Sequence, residues 1–309
     1  MSFTPSLIAW SHCITKMPEL PEVETIIRDL NNRTLNVLGA RFLDVWTDNP
    51  KMIKKPRNFS EFKKLIKNKE IKRIWRRGKN IIFELAGGLS LLIHQKMTGH
   101  LLIGNWELKS GNWEPFNKGP LIEPVNRYIH LMFWLSGGLM LALSDLRKFA
   151  KAELWKTQDL KESKAFKNFG PEPLERSFTA QKLKEIFKCR KGKIKQVLMD
   201  QSVIAGIGNI YADEILWQVK INPLKDVSQL SEEEVKDIYR AIKEDLKKGV
   251  KLRGTSIADF RNIKGESGFY QKARKVYQRE GQKSSRCSSK IKRLKIGGRS
   301  AHFCPTCQK

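Results

Sequence analysis

Long hydrophobic runs are missing from this sequence of 309 residues. No apolar stretch approaches the roughly 18 residues that a helix needs to cross a bilayer. Residues 1–16 also lack the basic start and the long apolar centre of a secretory signal peptide. The sequence therefore predicts neither a membrane span nor an export signal. Its length leaves room for about two domains, each with its own core.

Acidic residues are scarce relative to basic ones. Asp and Glu number 32 against 59 Lys and Arg, which gives a formal net charge of +27 and an isoelectric point near 10.0. Because neutralising phosphates releases their counterions, this excess favours a polyphosphate partner such as a nucleic acid. A ribosome-associated factor and a membrane-surface binder remain alternatives on charge alone.

Cysteine is also rare, with five in the chain and three of them among the last 23 residues. This distribution indicates a metal site rather than a disulfide framework, and hence a reducing, intracellular setting. Cys287, Cys304 and Cys307 have the spacing of a zinc ribbon, and a closed structural zinc site needs four ligands. Ser284 stands where a partner for Cys287 is expected, and His302 is an alternative fourth ligand. Two interpretations stay open, a zinc-bound finger and a β-hairpin finger held by packing alone.

The hydrophobic period changes in the middle of the chain. Before residue 170 the pattern is mostly strand-like after one amphipathic helix, and paired glycines at Gly87–Gly88 and Gly137–Gly138 mark two hairpins. After the Gly- and Pro-rich segment 170–174 the period is helical, and Ser231 begins a capping box for the last helix. Short strand-like segments return around the last cysteines.

This pattern predicts an α+β fold that combines a β-sandwich with flanking helices, a helical domain and a small β-hairpin. We expect four parts: an extension over 1–16 that is non-native or precedes the true start, a β-sandwich domain over 17–169, a helical domain over 170–270, and a zinc-finger-like β-hairpin over 271–309.

The sharpest motif begins at Met17, sixteen residues inside the chain. Removal of Met17 would leave Pro18 as a free secondary amine. An α-amine has a pKa of about 7.7–8.0 against about 10.4 for lysine, so far more of it is unprotonated at neutral pH. Such an amine can attack a sugar carbon and form an iminium, and Glu19 could move the protons. The alternative interpretation is a helix start, with Pro21 and Glu22 in the first turn.

Three segments of the β-rich part could contact a nucleic acid. Lys79 ends a basic run before a strand and could grip backbone phosphates. Met97 lies on a glycine-containing loop, from which it could wedge into a base stack and fill the space of an extruded nucleotide. Arg147 and Phe149 share a loop and could bond the orphaned base and unstack its neighbour. Each also has an ordinary interpretation as a solvated charge or a core side chain.

A glycine-rich turn separates two predicted helices before Asn209. Lys195 lies on the first helix, and Asn209 begins the second, whose free backbone N–H groups could hold a phosphate. The turn is neither a Walker loop, which requires Gly-Lys-Ser/Thr, nor a dinucleotide loop, which requires a preceding strand. Arg299, in the turn of the C-terminal hairpin, could grip phosphate or remain a solvated charge.

Together, the start at Met17, the segment 195–214 and these loops resemble the formamidopyrimidine-DNA glycosylase family, over Met17–Lys309 and in the family's order. The start also separates this branch from endonuclease VIII, which opens Pro-Glu-Gly-Pro-Glu. The resemblance implies a helix–two-turn–helix domain and a bacterial base-excision enzyme that removes oxidised purines, namely 8-oxoguanine and formamidopyrimidines. It implies a proline Schiff base, strand cleavage by β- and δ-elimination as an abasic-site lyase, and no cofactor beyond a structural zinc.

The same resemblance assigns roles to individual residues. The catalytic group would be the nucleophile Pro18, the acid/base Glu19, and the phosphate-contacting Lys79 and Arg299. The DNA-binding group would be the void-filling Met97, Arg147 and Phe149, Lys195 near the damaged base, and the phosphate ligand Asn209. Residues 264–270 would form a mobile lid over the extruded base, and Cys287, Cys304 and Cys307 would bind the metal.

Several positions depart from the family's pattern. The extension before Met17, if it is retained, makes the Pro18 nitrogen a tertiary amide without a nucleophilic lone pair. Leu146, Lys148 and Ala150 replace Pro, Arg and Gly in the loop of Arg147, and Gln95–Lys96 replaces Leu-Gly before Met97.

Three hypotheses follow. The first is a bifunctional DNA glycosylase and lyase, the second a catalytically impaired damaged-DNA binder on the same scaffold, and the third a ribosomal or RNA-binding protein that charge alone supports. The expected partner is double-stranded DNA with oxidised bases or abasic sites, and no membrane. We expect a monomer in the bacterial cytoplasm, associated with the nucleoid.

Overall fold

The computed structural model describes residues 17–117, 119–256 and 260–309. The extension predicted for residues 1–16 lies outside the described residues. Within the described part, no helix is both long and apolar enough to cross a membrane.

The first helix, α1, spans Leu20–Leu30. A capping box closes its start, because the Glu19 N–H donates to the Glu22 carboxylate at 3.0 Å. The predicted apolar face is confirmed, since its members are all buried: Val23, Ile26, Ile27 and Leu30.

Most strands belong to the part of the chain before residue 157. In chain order they are β1 (Phe42–Thr47), β2 (Ile53–Lys55), β3 (Ile71–Arg77), β4 (Asn80–Leu85), β5 (Leu89–His94), β6 (Gly99–Gly104), β7 (Trp106–Lys109), β8 (Asn112–Pro115), β9 (Ile129–Leu135), β10 (Met140–Asp145) and β11 (Lys151–Lys156). One sheet has the order β1-β9-β10-β6, and the other has the order β2-β11-β5-β4-β3. Helix α2, Phe59–Ile66, packs beside β1 and β2.

Both predicted hairpins are present. Leu85 faces Leu89 across the β4–β5 turn, and Trp134 faces Met140 across the β9–β10 turn. Gly87 and Gly88 have φ values of +80° and +69°, which side chains rarely adopt, so this turn requires glycine.

The main core of the β-sandwich lies between the two sheets and α1. Phe260 and Ile263, which follow the helical domain in sequence, pack into this same core. A second cluster covers the outer face of the four-stranded sheet, where the β7–β8 hairpin brings Trp113 against Trp46 and Trp134. The sequence pattern did not reveal this hairpin.

The second half of the chain is helical, as predicted. After the short α3 (Thr157–Glu162) and α4 (Lys164–Lys167) come α5 (Ala180–Lys188), α6 (Ile194–Met199), α7 (Asn209–Gln218) and α8 (Glu232–Lys251). The predicted capping box at Ser231 closes the start of α8. Helix α7 is buried around most of its circumference, and Leu20 from the chain start packs into the same helical core.

Residues 284–309 form what we call the finger, built on β12 (Lys292–Ile296) and β13 (Arg299–Phe303). The finger is fastened to α7. The Asp213 carboxylate accepts hydrogen bonds from the His302 N–H at 2.9 Å and from its ring Nδ1 at 3.1 Å. The Arg286 guanidinium donates to the carbonyl oxygens of Trp217 and Gln218. The α+β architecture expected from the sequence is therefore confirmed.

Candidate active site

A cavity of about 600 Å³ opens where the chain start, the β-sandwich, the helical domain and the finger meet. This volume lies within the range of about 300–1,000 Å³ that is usual for ligand sites. Five residues predicted from different parts of the sequence line it: Glu19, Lys79, Met97, Asn209 and Arg299. Pro18 is buried between Met17 and Glu19, both of which line the cavity.

Glu19 sits at the start of α7. Its carboxylate accepts backbone N–H bonds from Gly208 and Ile210, each at 2.9 Å, and from Tyr211 at 3.4 Å. These donors and the positive end of the helix dipole favour a negative charge. Burial acts in the opposite direction and raises the pKa of Glu19 above its usual range. Glu19 is therefore placed to hold a proton or release it.

This arrangement corrects one expectation. The sequence predicted that free N–H groups at the start of α7 would hold a phosphate. In the structure the Glu19 carboxylate occupies these donors, because α1 begins directly opposite the glycine-rich turn and the Leu20 N–H bonds the Gly206 carbonyl at 3.0 Å. Three of the N–H groups are therefore taken, and Asn209, between two of these donors in sequence, lines the cavity.

Lys79 approaches the same point from the β-sandwich. A β-carbon added to Gly208 would lie 2.4 Å from the Glu19 carboxyl carbon and 2.7 Å from the Lys79 ammonium nitrogen. Glycine at position 208 therefore leaves room for an acid and a base to lie close together. Burial lowers the pKa of Lys79, while the charge of Glu19 opposes this shift and that of Arg299 adds to it.

Sequence reasoning missed His94, which lines the cavity at the end of β5. Its Nδ1 accepts the Lys96 N–H at 2.9 Å. Burial, together with the charges of Lys96 and Lys151, lowers the pKa of His94 to about 3, so its ring is neutral at physiological pH. His94 begins the segment His94–Met97, so its place directly before the Met97 loop was the sequence feature that could have identified it.

The loops of Met97 and Arg147 are joined through Asp145. The Asp145 carboxylate accepts a short hydrogen bond from the Thr98 hydroxyl and backbone bonds from Arg147 at 3.2 Å and Ala150 at 2.6 Å. The Arg147 guanidinium lies 4.7 Å from the centre of the Phe149 ring, which is half exposed. Neither Arg147 nor Phe149 lines the cavity, but hydrogen bonds through Asp145 and Thr98 join their loop to that of Met97.

Lys195 is buried beneath the site. Its ammonium group contacts the Asp213 carboxylate at 2.5 Å and the Ser300 carbonyl at 2.6 Å, and its side chain is 1% exposed. It therefore links α6, α7 and the finger, and it does not line the cavity.

Residues 264–270, expected to form a lid, do not line the cavity in the described part of the chain. The residues just before this segment are hydrogen-bonded to the β-sandwich domain. The Ile103 N–H donates to the Ile263 carbonyl at 2.7 Å, and the Arg261 guanidinium donates to Glu123 at 2.8 Å.

Three thiols meet in the finger. The sulfur atoms of Cys287, Cys304 and Cys307 lie within 4.8 Å of one another, as zinc ligation requires. The His302 ring instead bonds Asp213, so it does not complete the set. Ser284 is buried and offers a hydroxyl, which is a weak zinc ligand. The three cysteines fit a zinc ion, and the described residues supply no fourth thiolate or imidazole.

Models of known domain families match most of the chain. The formamidopyrimidine-DNA glycosylase N-terminal domain matches residues 17–152, and the H2TH domain of the same enzymes matches residues 169–261. A zinc finger found in FPG and IleRS matches residues 285–309. The zinc-finger character expected of the C-terminal hairpin is thereby confirmed at the level of the family.

Curated proteins and solved structures agree with these models. The formamidopyrimidine-DNA glycosylase of Pelotomaculum thermopropionicum is 40% identical over 95% of this chain and 99% of its own. The protein of that name from Carboxydothermus hydrogenoformans is 38% identical over 95% of this chain and 100% of its own.

Among solved structures, wild-type Lactococcus lactis Fpg with DNA containing N7-benzyl-Fapy-dG matches with a TM-score of 0.80 at 35% identity, over 94% of this chain and 100% of that one. The complex of Lactococcus lactis Fpg with DNA containing an abasic site matches with a TM-score of 0.80 at 34% identity, over 94% and 99%. The recognition made from the start motif and the glycine-rich turn is confirmed: this chain belongs to the formamidopyrimidine-DNA glycosylase family.

Proposed function

We propose that this chain excises oxidised purines, 8-oxoguanine and formamidopyrimidines, from duplex DNA and then cleaves the strand at the resulting abasic site. Its family makes it a DNA glycosylase of DNA repair. The observation that carries the finer proposal is the convergence of Glu19, Lys79 and Arg299 at one cavity, with Pro18 directly preceding Glu19.

In this proposal the Pro18 amine attacks C1′ of the damaged nucleotide and the base departs. Glu19 supplies the proton that opens the sugar and later accepts one. Both steps are possible because burial favours the protonated carboxyl while the backbone N–H donors favour the carboxylate. The iminium on Pro18 then drives β- and δ-elimination. Lys79 and Arg299 hold the flanking phosphates, and Asn209 holds one at the start of α7.

We assign the remaining DNA contacts to the loops of Met97 and Arg147, which are joined through Asp145. Met97 and Phe149 enter the stack when the base is flipped out, and Arg147 bonds the orphaned base, so that these contacts offset a cost of a few kcal/mol. The proposal for Lys195 is an indirect one: its ammonium group, paired with Asp213, donates to the Ser300 carbonyl and so positions the neighbour of Arg299. We propose that Cys287, Cys304 and Cys307 hold a structural zinc, and that the protein acts as a monomer.

The second candidate is a damaged-DNA binder without catalysis. The observation that favours it is the extension, since a Pro18 nitrogen in a peptide bond to Met17 cannot attack a sugar. The two candidates differ in the Pro18 nitrogen, which is a free amine in the first and a peptide nitrogen in the second. Only the first can form an iminium, so a reagent that reduces iminium ions distinguishes them.

The test uses two forms of the protein, one beginning at Met1 and the other at Met17, each incubated with an 8-oxoguanine duplex and borohydride. We expect a covalent adduct from the Met17 form, located on Pro18 by peptide mass spectrometry, and none from an unprocessed Met1 form. An adduct on a lysine would contradict the role of Pro18. Absence of any adduct, with lesion binding retained, would support the non-catalytic binder.

A further inference from the structure

His100 and Asn126 are two buried polar residues with no role in the proposed reaction. Each is 1% exposed. His100 lies at the start of β6, just after the Met97 loop, and Asn126 lies in the segment that leads from the β7–β8 hairpin to β9. Buried polar side chains are costly unless they are hydrogen-bonded, so their partners indicate what they hold in place.

The contacts of the pair form a chain between two loops. The His100 ring places Nε2 2.9 Å from the Asn126 Oδ1 and Nδ1 3.3 Å from the Thr98 carbonyl. Asn126 in turn donates from Nδ2 to the Pro120 carbonyl at 2.7 Å and to the Gly265 carbonyl at 3.3 Å. Thr98 belongs to the Met97 loop, and Gly265 to the segment expected to form the lid.

We call residues 260–266 the strap. It returns from the helical domain to the β-sandwich, where Phe260 and Ile263 enter the core. Its approach to Asn126 leaves no room for a side chain, because a β-carbon on Gly265 would lie 2.7 Å from the Asn126 Nδ2, and Gly265 has a φ of +81°. The strap is therefore fitted closely to the Asn126 amide.

The hydrogen bonds of His100 are directional. Burial lowers the pKa of its ring to about 4, so the ring is neutral at physiological pH and donates through one nitrogen only. Both of its partners are oxygen acceptors, and the shorter contact assigns the N–H to Nε2, facing Asn126. The Asn126 amide therefore contacts the strap through Nδ2 and His100 through Oδ1.

Thr98 lies beside Met97 in one loop and is hydrogen-bonded to the loop of Arg147. The Arg147 N–H donates to the Thr98 hydroxyl at 3.1 Å, and that hydroxyl donates to Asp145. Hydrogen bonds thus connect the strap to Asn126 and Asn126 to His100, and the backbone of Gly99 joins His100 to Thr98 and to the loops that carry Met97 and Arg147.

We propose that His100 and Asn126 are positioning residues that couple the strap to the Met97 and Arg147 loops, so that filling of the duplex void depends on the position of the strap. The inference rests on the proposed function, because it assumes that Met97 enters the space of a flipped nucleotide.

The experiment follows void filling directly, with 2-aminopurine next to 8-oxoguanine in a duplex and stopped-flow fluorescence of the full chain from Met17. Leucine at position 100 keeps the bulk and removes the N–H, so we expect H100L to slow the fluorescence change roughly tenfold, as the net loss of one hydrogen bond in the transition state would. Glutamine can donate from a similar position, so H100Q should recover most of the rate. Steady-state kinetics should show the loss in kcat rather than in KM.

A double variant separates positioning from a general loss of stability. If His100 acts through Met97, M97A/H100L should be no slower than M97A alone, because the coupling then has no target. The control is S90A, which removes a partly buried hydrogen bond between Ser90 of β5, in the other sheet, and Thr157 at the start of α3, and should leave the rate unchanged. Thermal unfolding of each variant confirms folding, and N126A replaces H100L if that variant does not fold.

The outcomes are distinct. A wild-type chain without a lesion-dependent signal overturns the proposed function and this inference with it. A normal wild-type signal that H100L or N126A leaves unaltered, or a slowing by H100L that multiplies with that of M97A, overturns this inference alone.

Discussion

Both ends of α7 are closed by charged side chains from distant parts of the sequence, with opposite signs. At its start the Glu19 carboxylate takes three backbone N–H groups, and at its end the Arg286 guanidinium donates to the carbonyls of Trp217 at 2.7 Å and Gln218 at 3.2 Å. Each charge suits the helix dipole at its own end. The difference lies in solvent exposure, because Glu19 is buried at the cavity whereas Arg286 is exposed.

The comparison shows how one physical device serves two purposes. A buried charge at a helix end has a pKa that its surroundings can shift, which suits proton transfer. An exposed one stays charged and acts as a fastener. A substitution of Glu19, at the start of α7, should therefore affect the reaction, whereas a substitution of Arg286, at its end, should affect the attachment of the finger.

Replacing Glu19 with Gln should have the largest effect. The amide keeps the volume but cannot exchange a proton, and its NH₂ group would face the N–H donors of α7. We expect the single-turnover rate of 8-oxoguanine excision to fall by about 10²–10⁴-fold. Glu232→Gln is the matched control, an exposed carboxylate at the start of α8, and should keep the wild-type rate. Equal rates for E19Q and wild type would contradict the role of Glu19.

The second prediction concerns Glu22, which accepts a hydrogen bond from the Tyr211 hydroxyl in the first turn of α7. Burial, helped by the charge of Glu19, raises the pKa of Glu22 from 4.5 to about 7. The folded protein therefore holds this proton more tightly than the unfolded chain. The contribution of Glu22 to the free energy of unfolding is present below pH 4.5 and is lost as the pH rises to about 7.

Replacing Glu22 with Gln removes this titration. The difference in unfolding free energy between E22Q and wild type should change by about 3 kcal/mol in favour of E22Q between pH 4.5 and pH 8. Urea unfolding at a series of pH values measures it. Parallel curves for the two proteins would show that Glu22 titrates normally in the folded state.

The third prediction tests the exposed end of α7. Arg286→Ala removes two hydrogen bonds and the contact of the guanidinium with the Trp217 ring, 3.9 Å from its centre. We expect the finger to lose about 1 kcal/mol of attachment. Hydrogen exchange of residues 285–309 should become faster, while that of α1 should not. Arg293→Ala is the control, because Arg293 on β12 bonds Ser300 within the finger and pairs with Glu280 just before it. Equal acceleration in both variants would contradict the fastening role of Arg286.

The smallest effect on the DNA reaction is expected from Ser284→Cys. The change supplies a fourth thiol beside the three that meet, so the finger should retain zinc longer against a chelator. The excision rate should change by less than about twofold, because the contacts that fasten the finger to α7 are untouched. Zinc release followed with a colorimetric chelator tests this, with Ser284→Ala as control. Equal release from S284C and wild type would show that position 284 does not reach the metal.

Local patterns predicted much of the architecture. The paired glycines located both hairpins, the apolar period located α1, and the serine of a capping box located the start of α8. These features depend on residues a few positions apart, which is why they can be read from one sequence. The β7–β8 hairpin was missed because its turn, Ser110–Gly111, lies in a polar and tryptophan-rich stretch without clear alternation.

The candidate site was harder to predict because its contacts join distant segments. The bond between Glu19 and the start of α7 spans about 190 residues, and Lys195 meets Ser300 across 105. No local pattern reports such pairs, so the α7 N–H groups were expected to be free and Lys195 was expected near the base. The resemblance to a family identified the candidate site residues, and the structure identified the groups to which they are hydrogen-bonded.

Each of the two hydrophobic cores contains residues that are distant in sequence from the rest of its domain. Leu20, from the start, belongs to the helical core, and Phe260 and Ile263, from beyond α8, belong to the core of the β-sandwich. During synthesis, a ribosome that has released residue 169 has delivered an incomplete sandwich. The β-sandwich core cannot be completed before residue 263 has emerged, nor the helical core before Tyr277, so Leu20 and the adjoining Pro18 reach their final surroundings only late in synthesis.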